Sequence, residues 1–146
     1  MTPEEQTQRS QACTQAPVLR EFLYCSELAP DMAADAVGTI VAQARVRNEA
    51  HCITGLLVFD GLRFCQHFEG PPDAAQALMD RIARDPRHTG VRVAYAGELA
   101  GRRYSSFRLG LAECEGPDLM AGVHALDGDA ALKHFLALRP SFDING

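Results

Sequence analysis

The sequence predicts an α+β sandwich with the element order β-α-β-β-α-β-β, followed by C-terminal helices. Three observations lead there. Apolar residues recur at helical spacing in two separate stretches, Val37, Ile40, Val41 and Ala44, then Ala75, Leu78, Met79 and Ile82. Short apolar runs of strand length lie between and around them, two of them joined by an Asp60-Gly61 hairpin signal. The length of 146 residues and the 47% apolar, 23% charged composition fit one globular domain, not a disordered chain.

The first 17 residues are polar, carry no signal-peptide pattern, and read as a flexible N-terminal tail. Val18 to Cys25 reads as a first strand, with Val18, Phe22 and Tyr24 on one face and Leu19, Leu23 and Cys25 on the other. Pro30-Asp31 opens a helix with Asp31 as its expected N-cap, running to about Asn48. Ile53 to Phe59 and Leu62 to Glu69 are the two strands of the hairpin. Gly70-Pro71-Pro72 ends the second and starts a helix that closes near Arg84. Val91 to Ala96 and Phe107 to Glu113 are the remaining strands, and Pro117 to Leu138 holds one short and one longer helix.

This order is the ferredoxin-like βαββαβ unit with an added strand, two helices covering one sheet face. Leu23, Cys25, Cys65 and His67 then point to the other face, and the C-terminal helices are expected to cover it. The organisation is a tail over 1–17, a domain over 18–113 and a helical extension over 114–146.

Charge and cysteine content limit the function. A net charge of -5 offers no basic footprint for nucleic acid or an acidic membrane. The apolar run Ile53 to Phe59 is too short to span a bilayer. Five cysteines without a C-x-x-C pair, and five histidines out of step with them, predict reduced thiols, no metal site and a cytoplasmic location.

The second hairpin strand carries the chemistry. Alternation places Leu62, Phe64, Gln66 and Phe68 on the face that meets the helices, so Gln66 is a carboxamide aimed into a core. A buried amide left unpaired costs roughly 1–3 kcal/mol, so Gln66 needs partners. Tyr24 on the first strand and Asn48 at the end of the first helix are the candidates, and from composition alone a satisfied core network without a ligand is the simpler reading.

The ordered set L-x-x-x-L-Y-x-S from Leu19, N-x-x-x-x-I-T-G from Asn48, R-F-x-Q-x-F-E-G from Arg63, D-P-R-H from Asp85 and R-R-Y-x-x-F from Arg102 resembles the BLUF family, sensors of blue light using FAD. The resemblance covers about residues 18–113. It implies a flavin, FAD with FMN as the other possibility, held non-covalently between the two helices over the sheet. Tyr24 then corresponds to the electron and proton donor, and Gln66 to the switch whose hydrogen bonds to flavin N5 and O4 rearrange in light. Asn48 corresponds to the group on the flavin O4/N3 edge, Arg87 and His88 lie beside the ring, and Phe64, Phe107 and Leu109 complete the flavin-facing set. The resemblance further implies a photoreceptor without turnover, signalling through the sheet and C-terminal helices to an unidentified downstream protein, and assembly as a homo-oligomer.

Many family members carry Trp and Met where this chain has Phe107 and Leu109. Leu109 keeps the bulk of methionine without its flexible thioether. His67 faces away from the flavin side and reads as a packed histidine under the C-terminal helices, and Arg102-Arg103 read as solvated. Two other classes compete on this fold. An acylphosphatase-type hydrolase needs an anion cradle after the first strand, which S-E-L-A-P-D does not offer, and an RNA-binding module needs outward aromatics where Cys65 and His67 stand. A flavin-binding module that has lost signalling is the milder alternative.

Overall fold

A computed structural model describes residues 18–104, 108–114, 118–141 and 144–145. The strands are β1 (Leu19–Leu28), β2 (Thr54–Phe59), β3 (Arg63–Gly70), β4 (His88–Leu99), β5 (Gly110–Glu113) and β6 (Ile144–Asn145). The helices are α1 (Ala36–Ala50), α2 (Pro72–Arg84), α3 (Asp118–His124) and α4 (Gly128–Leu138). The sheet order is β4-β1-β3-β2-β5-β6, the expected ferredoxin-like core with β5 added parallel to β2 at its edge. The short β6, antiparallel to β5, was not expected from the sequence.

Alternation along the strands builds two faces. On the front, Phe22, Tyr24, Ile53 and Phe68 pack with Ala75, Met79 and Ile82 of α2. Beside them, Leu57, Phe59, Phe64 and Leu109 pack with Val37 and Val41 of α1. On the back, Leu23, Cys25, Leu56, Val58 and Cys65 meet Met120 and Val123 of α3 and Ala131 and Phe135 of α4. The C-terminal helices therefore cover the second face, as the apolar back positions require.

The hairpin turn lies at Asp60-Gly61, where Gly61 has φ of 101° and Asp60 Oδ1 accepts from the amides of Leu62 and Arg63. Gly55 is needed for strand approach: a Cβ there would lie 2.6 Å from the His67 carbonyl oxygen and 2.8 Å from Phe68 Cβ.

Three expectations are corrected. The first helix starts at Ala36, not after Asp31. Pro30-Asp31 lies in a turn in which the Met32 amide donates to the Ala29 carbonyl, and Asp35 takes the N-cap position without a side-chain bond. The first strand continues past Cys25 to Leu28, because Glu27 pairs with both Arg63 and Thr89. The last core strand begins at Gly110; Phe107 and the N-terminal tail lie outside the described residues. Among the described residues, no helix is long and apolar enough to cross a membrane.

Candidate functional site

Between the two front-face clusters sits a polar pair. Tyr24 and Gln66 are register partners on β1 and β3, and the Tyr24 hydroxyl donates to Gln66 Oε1 at 2.6 Å. Both are buried, at 1% and 5% exposure, so water cannot substitute for either partner. Burial pushes the Tyr24 phenol far above its ordinary range, with the nearby Cys65 and Asp85 acting in the same direction, so it stays a protonated donor. The Gln66 amide nitrogen makes no hydrogen bond among the described residues.

Asn48 is buried on the last turns of α1, and its Nδ2 donates to the Arg108 carbonyl at 2.7 Å. Its Oδ1 receives no hydrogen bond among the described residues. Asn48 also lines a cleft of about 70 Å³ between α1 and α2, with Arg47, His51, Ile53, Leu78 and Arg81. The walls are apolar and the mouth is cationic. Burial lowers the pKa of Arg47, and the guanidiniums of Arg81 and Arg87 push it further down. That mutual repulsion would be relieved by an anion.

His88 lies beside Tyr24 on the front face. Its ring stands edge-on to Tyr24 at 6.2 Å and lies 4.9 Å from Phe64, which also stacks on Phe59 at 4.6 Å. His88 Nδ1 bonds Ser26 Oγ at 3.0 Å, so Ser26 is a buried partner within β1. Burial holds the His88 pKa below its ordinary value despite Asp85 nearby. Arg87 is locked onto Asp85 at 2.7 Å and reaches Gln43 at 3.0 Å, joining α1 to the segment between α2 and β4. Leu109 is buried in the α1 cluster, on the expected front face.

The back of β3 holds a network that the sequence reading missed. His67 Nε2 donates to Glu21 Oε1 at 2.7 Å, and the Tyr104 hydroxyl lies 2.6 Å from Nδ1. Arg103 Nε donates to Glu21 at 3.0 Å, and Glu69 accepts from the backbone amides of Arg103 and Tyr104. Glu21 and Glu69 are almost fully buried. Arg102 donates to the Thr54 hydroxyl and the Cys52 carbonyl, so the expectation of a solvated Arg102 is corrected, while Arg103 is exposed as expected even though its guanidinium reaches Glu21. Alternation already placed Glu21 with Leu19 and Leu23, and Glu69 with His67; two carboxylates on an apolar face were the available signal. Cys52 is disulfide-bonded, against the expectation of reduced thiols throughout.

An apolar cleft edged by Asn48, Arg47, His51 and Arg81, on the same sheet face as the buried Tyr24–Gln66 pair, suits a planar heteroaromatic ring with a phosphate tail. The comparisons agree. The family model for sensors of blue light using FAD matches residues 19–110. The photoactivated adenylate cyclase subunit beta of Euglena gracilis is 35% identical over 97 residues, covering 66% of this chain and 11% of that protein. The blue light- and temperature-regulated antirepressor BluF of Escherichia coli is 29% identical over 87 residues, covering 60% of this chain and 22% of that one. The chain thus spans only a small part of these curated relatives. The dark-state structure of the BLUF protein BlrB superposes with a TM-score of 0.63 at 28% identity, covering 67% of this chain and 74% of that one. With the family model spanning residues 19–110, most of the sheet, the chain belongs to the BLUF family of flavin-based blue-light sensors.

Proposed function

We propose that this chain senses blue light through FAD held non-covalently in the cleft between α1 and α2, with Tyr24 and Gln66 as the switch. When bound, the flavin supplies the visible absorption and an electron-accepting ring. The observation that carries the reading is the buried Tyr24-to-Gln66 hydrogen bond at 2.6 Å.

That pair has two arrangements of similar shape. In the one observed, the phenol donates and the carboxamide oxygen accepts. Turning the carboxamide end for end presents an N–H donor to the phenol oxygen, and the phenol must then donate elsewhere. Both forms satisfy Tyr24 only if a further group takes up the exchanged bonds, so a ligand edge with acceptors can bias the choice. Asn48, anchored through the Arg108 carbonyl, keeps Oδ1 for a ligand N–H donor. His88, Phe64, Leu109 and Phe107 are the proposed neighbours of the ring, with Arg87 tied to α1 through Gln43.

FAD is favoured over FMN because Arg47, Arg81 and His51 cluster at the mouth, where a diphosphate is better matched than one phosphate. The cleft is smaller than the several hundred Å³ of a typical cofactor site, so binding requires the half-buried Arg47 and Leu78 to move apart. The signal is proposed to leave through the sheet to the extension over 114–146, and then to a downstream protein, from a homo-oligomer in the cytoplasm.

Purified protein is expected to be yellow, and blue light to shift its flavin absorption slightly to the red, reversing in the dark. Extraction of the pigment separates FAD from FMN. Gln66→Leu and Tyr24→Phe are expected to keep the flavin and lose the reversible shift; a normal photocycle in either removes the role assigned to that residue.

A further inference from the structure

The back face gathers three soft ligands that the sequence spacing keeps far apart. Cys25 and Cys65 are direct partners across β1 and β3, with their sulfurs 3.5 Å apart. His124 ends α3, and one ligand atom from each of the three residues lies within 4.8 Å of the others. Cys25 and Cys65 are free thiols, almost completely buried among Leu56, Val58, Met120 and Val123. We propose that Cys25, Cys65 and His124 form a binding site for a thiophilic divalent cation, zinc, with its fourth position open.

The spacing distinguishes this from a disulfide. A disulfide needs sulfurs about 2.05 Å apart. Two thiolates on one tetrahedral zinc, with bonds of about 2.3 Å, sit roughly 3.8 Å apart. At the observed 3.5 Å one thiol donates a weak hydrogen bond to the other, and the pair needs only a few tenths of an ångström of adjustment to share a metal. The third ligand is also prepared. His124 Nε2 lies 3.0 Å from the Phe64 carbonyl, which can only accept, so Nε2 carries the proton and Nδ1 keeps its lone pair. Zinc-ligating imidazoles are commonly oriented by such a bond to a backbone carbonyl. Arg92 donates to the His124 carbonyl at 2.8 Å and pairs with Asp127, fixing the end of α3 over the strands.

Binding forms two zinc–sulfur bonds and releases two protons to solvent, so the buried site stays neutral: two thiolates, one divalent ion and a neutral imidazole. It would also tie β1 and β3 to α3, joining the sheet to the C-terminal helices. The site is independent of the flavin reading, since both thiols face away from the front cleft.

The test uses the full chain, reduced, with cobalt(II) as a spectroscopic probe and zinc as competitor. One cobalt per chain is expected, with ligand-field bands to the red of any flavin absorption, erased by zinc. Cys65→Ser and His124→Ala are expected to lose the bands and the bound zinc, while Cys114→Ser keeps both. Absence of the bands in the folded reduced protein, their survival in His124→Ala, or their loss in Cys114→Ser overturns the site. Should circular dichroism show that Cys65→Ser is unfolded, His124→Ala, at the half-buried end of a short helix, decides alone.

Discussion

His67 meets Glu21 at 2.7 Å on the back of the sheet, one residue along β3 from Gln66 on the front. The chain therefore carries a polar group through each face of the same strand, and each finds a partner on β1, Tyr24 for Gln66 and Glu21 for His67. Glu21 is 1% exposed and holds both His67 and Arg103, whereas the Arg92–Asp127 pair is largely open to water. Removing one partner of a buried pair costs about 3–5 kcal/mol, while an exposed pair contributes about 0–1. Glu21→Ala is accordingly expected to lower the unfolding free energy by about 3 kcal/mol in urea titration, and Asp127→Asn to change it by less than about 1 kcal/mol. Equal effects from the two would mean that the Glu21 network is not buried as described.

Tyr24→Phe separates the structural role of the front pair from its photochemical one. The variant keeps the ring contacts with Phe68 and His88 and removes only the donor to Gln66 Oε1. An acceptor left buried without a partner costs about 1–3 kcal/mol. Urea unfolding of flavin-free protein is expected to show that loss. A variant as stable as wild type would mean that Gln66 turns to another donor without cost.

His88 gives the protein an acid-sensitive element. Burial lowers its pKa from the ordinary 6.5 more strongly than Asp85 raises it, and Arg87 adds to the lowering. The unfolded chain therefore binds this proton first as pH falls. The stability that neutral His88 contributes is complete above 6.5 and is lost as pH drops through the lower folded value. Denaturation midpoints of wild type and His88→Asn are expected to differ by a constant amount above that pH and to converge below it. A gap that widens in acid would mean the folded protein favours the charged imidazole.

Much of this was legible in the sequence because alternation and helical spacing report directly which residues face a core. The front-face placement of Tyr24, Gln66 and Leu109 and the covering of the back face follow from period, and the Asp60-Gly61 turn from the positive φ that Gly61 allows. What was not legible depends on contacts distant in the chain. Tyr104 and the Arg103 amide reach Glu69 from a connection more than thirty residues away, and no local pattern announces that pairing. The start of α1 was misjudged for a related reason: Pro30-Asp31 has the chemistry of a helix start, yet the Ala29 amide is taken by the Arg87 carbonyl, which holds that segment against β4 as a turn.

Leu109→Met examines the position where the family resemblance leads one to expect methionine. Leu109 is 2% exposed and packs with Val41, Leu57 and Phe64, while its carbonyl accepts from Arg45 at 2.9 Å, so α1 is tied to the start of β5 through this residue. Methionine has nearly the same volume, and such swaps cost less than about 1.5 kcal/mol, so the variant should fold and bind flavin as wild type does. The difference lies in freedom: an unbranched thioether adopts rotamers that a branched leucine cannot. A side chain able to exchange positions in the cluster between α1 and the sheet should alter how fast the dark arrangement is regained, with the size of the red shift little changed. Light-minus-dark spectra and recovery kinetics of the two proteins decide this, and identical recovery would show the substitution to be silent.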